Sequence, residues 1–335
     1  MEPTKLLEEA RQAAPVLLGR RVAVIGYGSQ GRAHARNLAD SGIDVVVGVR
    51  PNGPSREKAR ADGLTTDEVA RAVASADVVA LLIPDPAQPR LYEAEIAPYL
   101  RPGAALLFAH GFNVHYGEIT PAAELDVILV APKSPGALLR EEYAAGRGVP
   151  ALVGVHQDAS GCARALTLSY AHHLGCTRAG ILFTDFAEET ETDLFGEQAV
   201  LCGGVTSLIQ AGFETLVDAG YQPELAYFEC LHELKLIVDL IYQNGLTGMR
   251  QRVSDTAEFG DYVSGSRVVG SESRAAMREI LEEIRSGAFA RRWIEDAGEG
   301  SGEFTRLRRL AQEHPLEEVG VRLRRQMPWL AEAQS

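Results

Sequence analysis

Four carboxylates stand in two pairs with the same spacing. Asp193 and Glu197 close the acidic run Glu188–Glu197, and Glu229 and Glu233 repeat the four-residue interval further on. On a helix, residues i and i+4 share a face, and like charges there repel. The second pair is set among Leu225, Ala226, Phe228, Leu231, Leu234, Leu236 and Ile237. A carboxylate in such apolar company is costly unless it is paired or binds a metal. Oxygen donors of this kind suit a hard divalent cation, and Mg²⁺ is the natural candidate. Salt bridges to Lys235 or an arginine would satisfy the same acids, and spacing alone leaves both readings open.

A second group points to a nucleotide. Arg21–Ile25 leads into Gly26, Tyr27, Gly28, Ser29, Gln30 and Gly31, and a helical pattern follows at once. In a Gly-x-Gly-x-x-Gly loop the first glycine makes the turn, the second admits a pyrophosphate, and the third packs helix on strand. Backbone N–H groups and the helix dipole then hold the phosphates. The motif is weak alone and gains force from its strand-to-helix context. The next apolar run ends at Arg50, with Ser55 close behind, where an NAD site usually offers a carboxylate. A guanidinium and a hydroxyl suit a 2′-phosphate, so NADPH is expected over NADH. The bland alternative is that Arg50 is a solvated loop charge.

His110 and Lys133 each follow an apolar run. Strand ends of this kind face the ligand crevice, which favours acid–base or proton-shuttling work. His34, His156, His172, His173 and His314 lack that placement and read as structural or surface residues. Ser254 and Asp255 carry no signal of their own.

The elements that must position these groups follow from periodicity. Apolar runs at Val22–Gly26, Val45–Val49, Val78–Ile83, Ala104–Phe108, Val127–Val130 and Ala151–Val155 suit strands covered on both faces. Helical patterns at Arg32–Ser41, Asp67–Ala76 and Asp158–Leu174 alternate with them, which predicts an α/β doubly wound parallel sheet of Rossmann type. From Phe186 to about Gln326 no strand-like alternation remains, and Glu188–Ala219, Pro223–Asn244, Ser271–Ser286 and Gly302–His314 read as helices. Gly220 and Gly245 stand where C-terminal caps belong, and Pro223 suits a first turn. The expected division is a nucleotide domain over 1–183, a helical domain over 184–329 and a tail over 330–335.

The formal net charge of −13 argues against sequence-independent nucleic-acid binding and against docking on an anionic membrane. The four cysteines have no zinc-site spacing and read as reduced, mostly buried thiols of a cytoplasmic protein. No secretory signal core is evident. No apolar run approaches the roughly 20 residues that cross a bilayer.

Together, Gly26–Gly31, Phe108–Asn113, Ala131–Lys133, Glu188–Gly204 and Ala226–Tyr242 resemble the signature blocks of ketol-acid reductoisomerases in order and spacing. The resemblance covers about Leu18 to Leu330 and is to the short form of the family, with one helical domain. It implies an NADPH- and Mg²⁺-dependent conversion of a 2-hydroxy-3-keto acid, 2-acetolactate or 2-aceto-2-hydroxybutyrate, in valine and isoleucine biosynthesis. Proton removal would fall to a hydroxide on the metal or to a carboxylate such as Glu233. An alkyl group would then migrate, and hydride transfer would give the 2,3-dihydroxy-3-methyl acid.

The resemblance further implies two Mg²⁺ per site on Asp193 and Glu197, with Asp193 bridging. Glu229 and Glu233 would come from the other subunit of a homodimer or of a larger assembly of dimers. His110 and Lys133 would flank the nicotinamide and Ser254 would meet the substrate carboxylate. NADPH would be held by backbone around Tyr27–Gln30, by Arg50 and Ser55, by Asp85, Pro86, Ala87 and Gln88, and by Gly136. The family's helical domain is knotted, a rare exception to unknotted topology.

Two stretches depart from the family pattern. Ser134-Pro135-Gly136-Ala137 replaces the usual Gly-Pro-Gly-His, and Asn52, Gly53 and Pro54 stand where a second hydroxyl is common. These leave room for a specialised paralogue with a shifted substrate. Other readings are a metal-free 3-hydroxyacid-type dehydrogenase and a non-catalytic NADPH-binding protein.

Overall fold

The computed structural model describes residues 3–327 and 329, so the tail 330–335 lies outside the described residues. The chain forms two compact units, Met1–Thr192 and Asp193–Ser335.

The first unit is built on eight strands: β1 (Arg21–Ile25), β2 (Asp44–Gly48), β3 (Thr65–Asp67), β4 (Val78–Leu81), β5 (Ala105–Phe108), β6 (Asp126–Pro132), β7 (Ala151–Gln157) and β8 (Ile181–Thr184). Their order is β3-β2-β1-β4-β5-β6-β7-β8. Successive side chains of a strand point to opposite faces. Val22, Val24, Val45, Val47, Leu107 and Ile128 therefore enter one core, and Ala23, Ile25, Leu81, Leu106, Phe108 and Leu129 enter the other. Both cores are closed to water, which is why the runs are apolar throughout rather than alternating.

The expectation of a wholly parallel sheet needs one correction. Strand β7 runs antiparallel to β6, from Ile128↔Val155 to Pro132↔Ala151. The helix Gly136–Ala144 is an excursion that returns to the same strand end, where Lys133 N–H bonds to the Pro150 carbonyl at 2.8 Å. A chain that re-enters beside the end it left must run backwards, whereas a parallel neighbour needs a full crossover. Strands β3 and β8 form the two sheet edges and were not visible as apolar runs. They have three and four residues, mostly part-exposed or exposed, as suits blunted edges.

The second unit is helical: Gly203–Asp218, Pro223–Tyr227, Glu233–Arg250, Asp255–Val268, Ser271–Arg285, Ala288–Gly298, Gly302–Gln312 and Pro315–Arg324. Gly220 ends the first of these at φ +88°, with Tyr221 N–H bonded to Leu216 O and Gly220 N–H to Val217 O. That is a Schellman stop, which suits glycine. Gly245 also stands where a helix stops: at φ 70° and ψ 176° it is non-helical, and a second helix runs on from this kink to Arg250. Two turns are widened to i→i+5 hydrogen bonding, Cys202 N–H to Glu197 O and Glu233 N–H to Phe228 O, and turns of this type cluster at functional sites.

The core of this unit is small, made by Phe213, Ala226, Tyr227, Leu316, Val319 and Leu323. Leu201, Leu236, Tyr242, Leu246, Phe259 and Tyr262 remain exposed, Tyr242 at 89%. Contrary to the sequence expectation, the helical run Phe186–Asp218 is long and apolar enough to cross a membrane by length and composition. The cysteines also differ from expectation. All four are free, but only Cys176 is buried, while Cys162 and Cys202 are exposed. Cys202 lies in the helical unit, whose apolar surface is largely uncovered.

Candidate active site

The glycine loop leaves β1 with Gly26 at φ +96°, a conformation that disfavours any side chain. A Cβ on Gly26 would also sit 2.8 Å from Leu82 O, and one on Gly31 would sit 2.4 Å from Gly26 O. Gly28 faces open space. The loop is thus closed on its protein side and bare on the other, a cradle that fits a dinucleotide pyrophosphate.

The loop is backed by the segment after Lys133. Gln30 Nε2 donates to Ser134 O at 2.9 Å. A Cβ on Gly136 would lie 2.2 Å from Ser29 O and 2.7 Å from Gln30 N. Gly136 therefore supports the loop from behind. Gly136→Ala should displace Ser29–Gln30, destabilise the fold by about 1–3 kcal/mol and weaken NADPH binding; thermal melts with and without nucleotide check both effects.

Arg50 lies exposed just beyond β2, and Ser55 lies in the first turn of the helix Pro54–Ala61. Asp85, Pro86 and Ala87 form a single tight turn after β4. Gln88 beside them is buried, and its side chain is engaged with the protein. Its amide donates to Ile83 O at 2.9 Å, and its carbonyl accepts from Asn113 at 3.0 Å. Asp85 and Pro86 are part-exposed and Ala87 is exposed.

At the ends of β5 and β6, His110 and Lys133 are brought together by a residue the sequence reading did not single out. Glu189 is 1% exposed. Its Oε2 lies 3.0 Å from His110 Nδ1 and accepts from Gly111 N–H at 2.9 Å. Its Oε1 accepts from Lys133 Nζ at 2.9 Å. Burial pushes the Glu189 carboxyl up, but hydrogen bonding and charge from His110, together with Lys133, outweigh it and hold the group at about 2. His110 and Lys133 are both anchored by Glu189 and keep 20% and 32% of their side chains exposed.

Local chemistry explains the placement. Asp185 caps the helix Phe186–Gly196 by accepting from Glu188 N–H at 2.8 Å. Phe186, Glu189, Thr190 and Leu194 are its buried residues, an i, i+3, i+4, i+8 stripe. That stripe is the signal for Glu189, obscured because it is one of several carboxylates in the run Glu188–Glu197. Close approach needs Gly111, where a Cβ would meet Thr190 Oγ1 at 2.5 Å and Phe186 O at 2.6 Å.

Of the four paired acids, Asp193 lies one turn beyond Glu189 on the same helix. Glu197, Glu229 and Glu233 are exposed. Lys235, a possible salt-bridge partner in the sequence reading, bonds instead to Asp239. Among the described residues, neither Glu229 nor Glu233 belongs to a group of three His, Cys or carboxylate ligands close enough to share an ion. Carboxylate oxygens suit Mg²⁺, but Glu197 also lies outside any such group among the described residues, so neither acid pair forms a metal site by itself. Ser254 is exposed and caps the helix Asp255–Val268, its Oγ accepting from Ala257 N–H at 3.2 Å.

A bare glycine cradle and a carboxylate-anchored His–Lys pair, both at the carboxyl ends of a doubly wound sheet, define a nicotinamide-dependent oxidoreductase. Residues 16–180 match the family model of the acetohydroxy acid isomeroreductase NADPH-binding domain, and residues 186–329 that of the ketol-acid reductoisomerase C-terminal domain. The chain belongs to the ketol-acid reductoisomerase family.

It is 58% identical over 310 residues to the ketol-acid reductoisomerase (NADP(+)) of Xanthomonas oryzae pv. oryzae, covering 92% of this chain and 93% of that one. The protein of the same name from Xanthomonas axonopodis pv. citri matches with the same identity and coverage. An NADH-preferring ketol-acid reductoisomerase from an uncultured archean superposes with a TM-score of 0.90 at 45% identity, over 92% of this chain and 95% of that one.

Proposed function

We propose that this chain converts 2-acetolactate or 2-aceto-2-hydroxybutyrate into the 2,3-dihydroxy-3-methyl acid, with two Mg²⁺ per site and NADPH, in valine and isoleucine biosynthesis. The observation that carries the reading is Glu189 holding His110 and Lys133 at adjacent strand ends. Bound Mg²⁺ would polarise the substrate's ketone and hydroxyl oxygens; bound NADPH would supply the hydride. Asp193 and Glu197 would hold the cations. Lys133 presents its ammonium to developing negative charge on substrate oxygen. His110, with Nδ1 tied to Glu189, is the candidate for moving a proton. Glu233 is the candidate carboxylate base, and Ser254 keeps a hydroxyl proton to donate to the substrate carboxylate.

The proposed cofactor contacts are Gly26–Gly31, Arg50, Ser55 and the Asp85–Gln88 turn, with Gly136 behind them. Arg50 supports NADPH over NADH. Homodimers supply Glu229 and Glu233 to the partner's site. The exposed apolar side chains of the helical unit support this assembly, because contiguous exposed apolar surface marks interfaces. The charge of −13 supports a small-molecule role away from nucleic acid and anionic membranes.

Purified protein should oxidise NADPH only when both 2-acetolactate and Mg²⁺ are present, and EDTA should stop it. Turnover that survives EDTA would favour a metal-free dehydrogenase. Absence of turnover in folded, NADPH-binding protein would overturn the substrate assignment.

A further inference from the structure

Asp62 closes the C terminus of the helix Pro54–Ala61. A carboxylate there faces the negative end of the helix dipole, which is unfavourable unless donors compensate. Three donors do. Tyr27, the second residue of the glycine loop, donates its hydroxyl to Asp62 Oδ2 at 2.7 Å. Arg32, in the helix that follows the loop, forks onto both carboxylate oxygens at 2.7 and 2.9 Å. Arg36, one turn further, reaches Oδ1 at 3.6 Å. The Tyr27 ring is buried, and the Asp62 side chain is 13% exposed. Hydrogen bonding from Arg32 outweighs burial and holds the Asp62 carboxyl at about 2, so the clamp stays charged at any working pH.

This network joins two places that a dinucleotide with a 2′-phosphate must touch at once. One is the Gly26–Gly31 cradle. The other is the segment Arg50–Arg56, which leads into the helix that Asp62 terminates. That helix has only eight residues, so holding its far end sets where its first turn lies.

Building on the cofactor reading above, we propose that Tyr27, Asp62 and Arg32 form a positioning clamp that sets the spacing between the pyrophosphate cradle and the 2′-phosphate subsite, and so contributes to discrimination between NADPH and NADH. None of the three side chains need touch the reacting atoms. A bond to a charged group is stronger than one between neutral groups, and part of that strength is registered as cofactor affinity. A nucleotide without the 2′-phosphate does not use the second subsite and is largely indifferent to its position.

The test is fluorescence titration of the wild type, Tyr27→Phe and Asp62→Asn with NADPH and with NADH. The clamp predicts that Kd for NADPH rises about five- to tenfold in each variant, while Kd for NADH changes less than about twofold. Equal weakening for both nucleotides would show a merely structural role and overturn the proposal, as would unchanged NADPH affinity in both variants. Tyr27→Phe keeps the buried ring and only loses the donor, so it remains informative if Asp62→Asn folds poorly. A wild type that binds neither nucleotide overturns the cofactor reading and the clamp with it. A wild type that binds NADPH, beside variants that bind it equally well, overturns the clamp alone.

Discussion

An Asp193→Asn variant is expected to lose about 10³-fold in Mg²⁺-dependent turnover, the equivalent of roughly 4 kcal/mol of charge stabilisation by the cations. Asparagine has the same shape, so the helix Phe186–Gly196 and its buried stripe should be undisturbed. Asp193 stands four residues from Glu189 and four from Glu197. Removing its charge relieves two like-charge contacts, each worth about 0.2–0.5 kcal/mol on a helix. NADPH affinity should not change, because the cradle lies in the other unit. Mn²⁺ titration followed by electron paramagnetic resonance checks the metal directly, and unaltered affinity there would remove Asp193 from the cation site.

Glu189→Gln should impair both activity and stability. The carboxylate accepts from three groups at once: His110, Lys133 and Gly111 N–H. An amide offers one oxygen, and its NH₂ turns a donor toward another donor. Breaking one side of a buried charged pair costs about 3–5 kcal/mol, and because Lys133 is a third exposed the lower end of that range is expected. Loss of His110 orientation should reduce kcat by about 10²–10³, the usual scale of acid–base assistance.

The pH dependence has a definite sign. Glu189 is depressed from an ordinary 4.5 to about 2 in the folded chain. Its contribution to stability is fully present above the ordinary value and is lost as pH falls through the folded one. Acid titration followed by circular dichroism should show a loss of stability between about pH 4.5 and 2 that Glu189→Gln lacks. A wild type and variant with the same acid profile would mean that His110 and Lys133 do not hold the carboxylate ionised.

Features that depend on a few consecutive residues were legible in the chain itself. The glycine loop is one, since Gly26 needs a positive φ and Gly31 a close contact within the same turn. The central strands are another, because burial on both faces demands unbroken apolar runs. The change to helices after Thr184, the stop at Gly220 and the four-residue acid spacing are equally local.

Other features depend on partners far away in the chain. Glu189 meets His110 across 79 positions and Lys133 across 56, and no spacing rule connects them. Tyr27 and Asp62 meet only because two helices pack on one sheet. Gly136 is needed only because Ser29 lies behind it. The direction of β7 follows from where the helix Gly136–Ala144 returns the chain, and apolar content is the same in either direction. Periodicity records which face of an element is covered; which residues share a site is decided by packing between elements, and only the tertiary structure contains it.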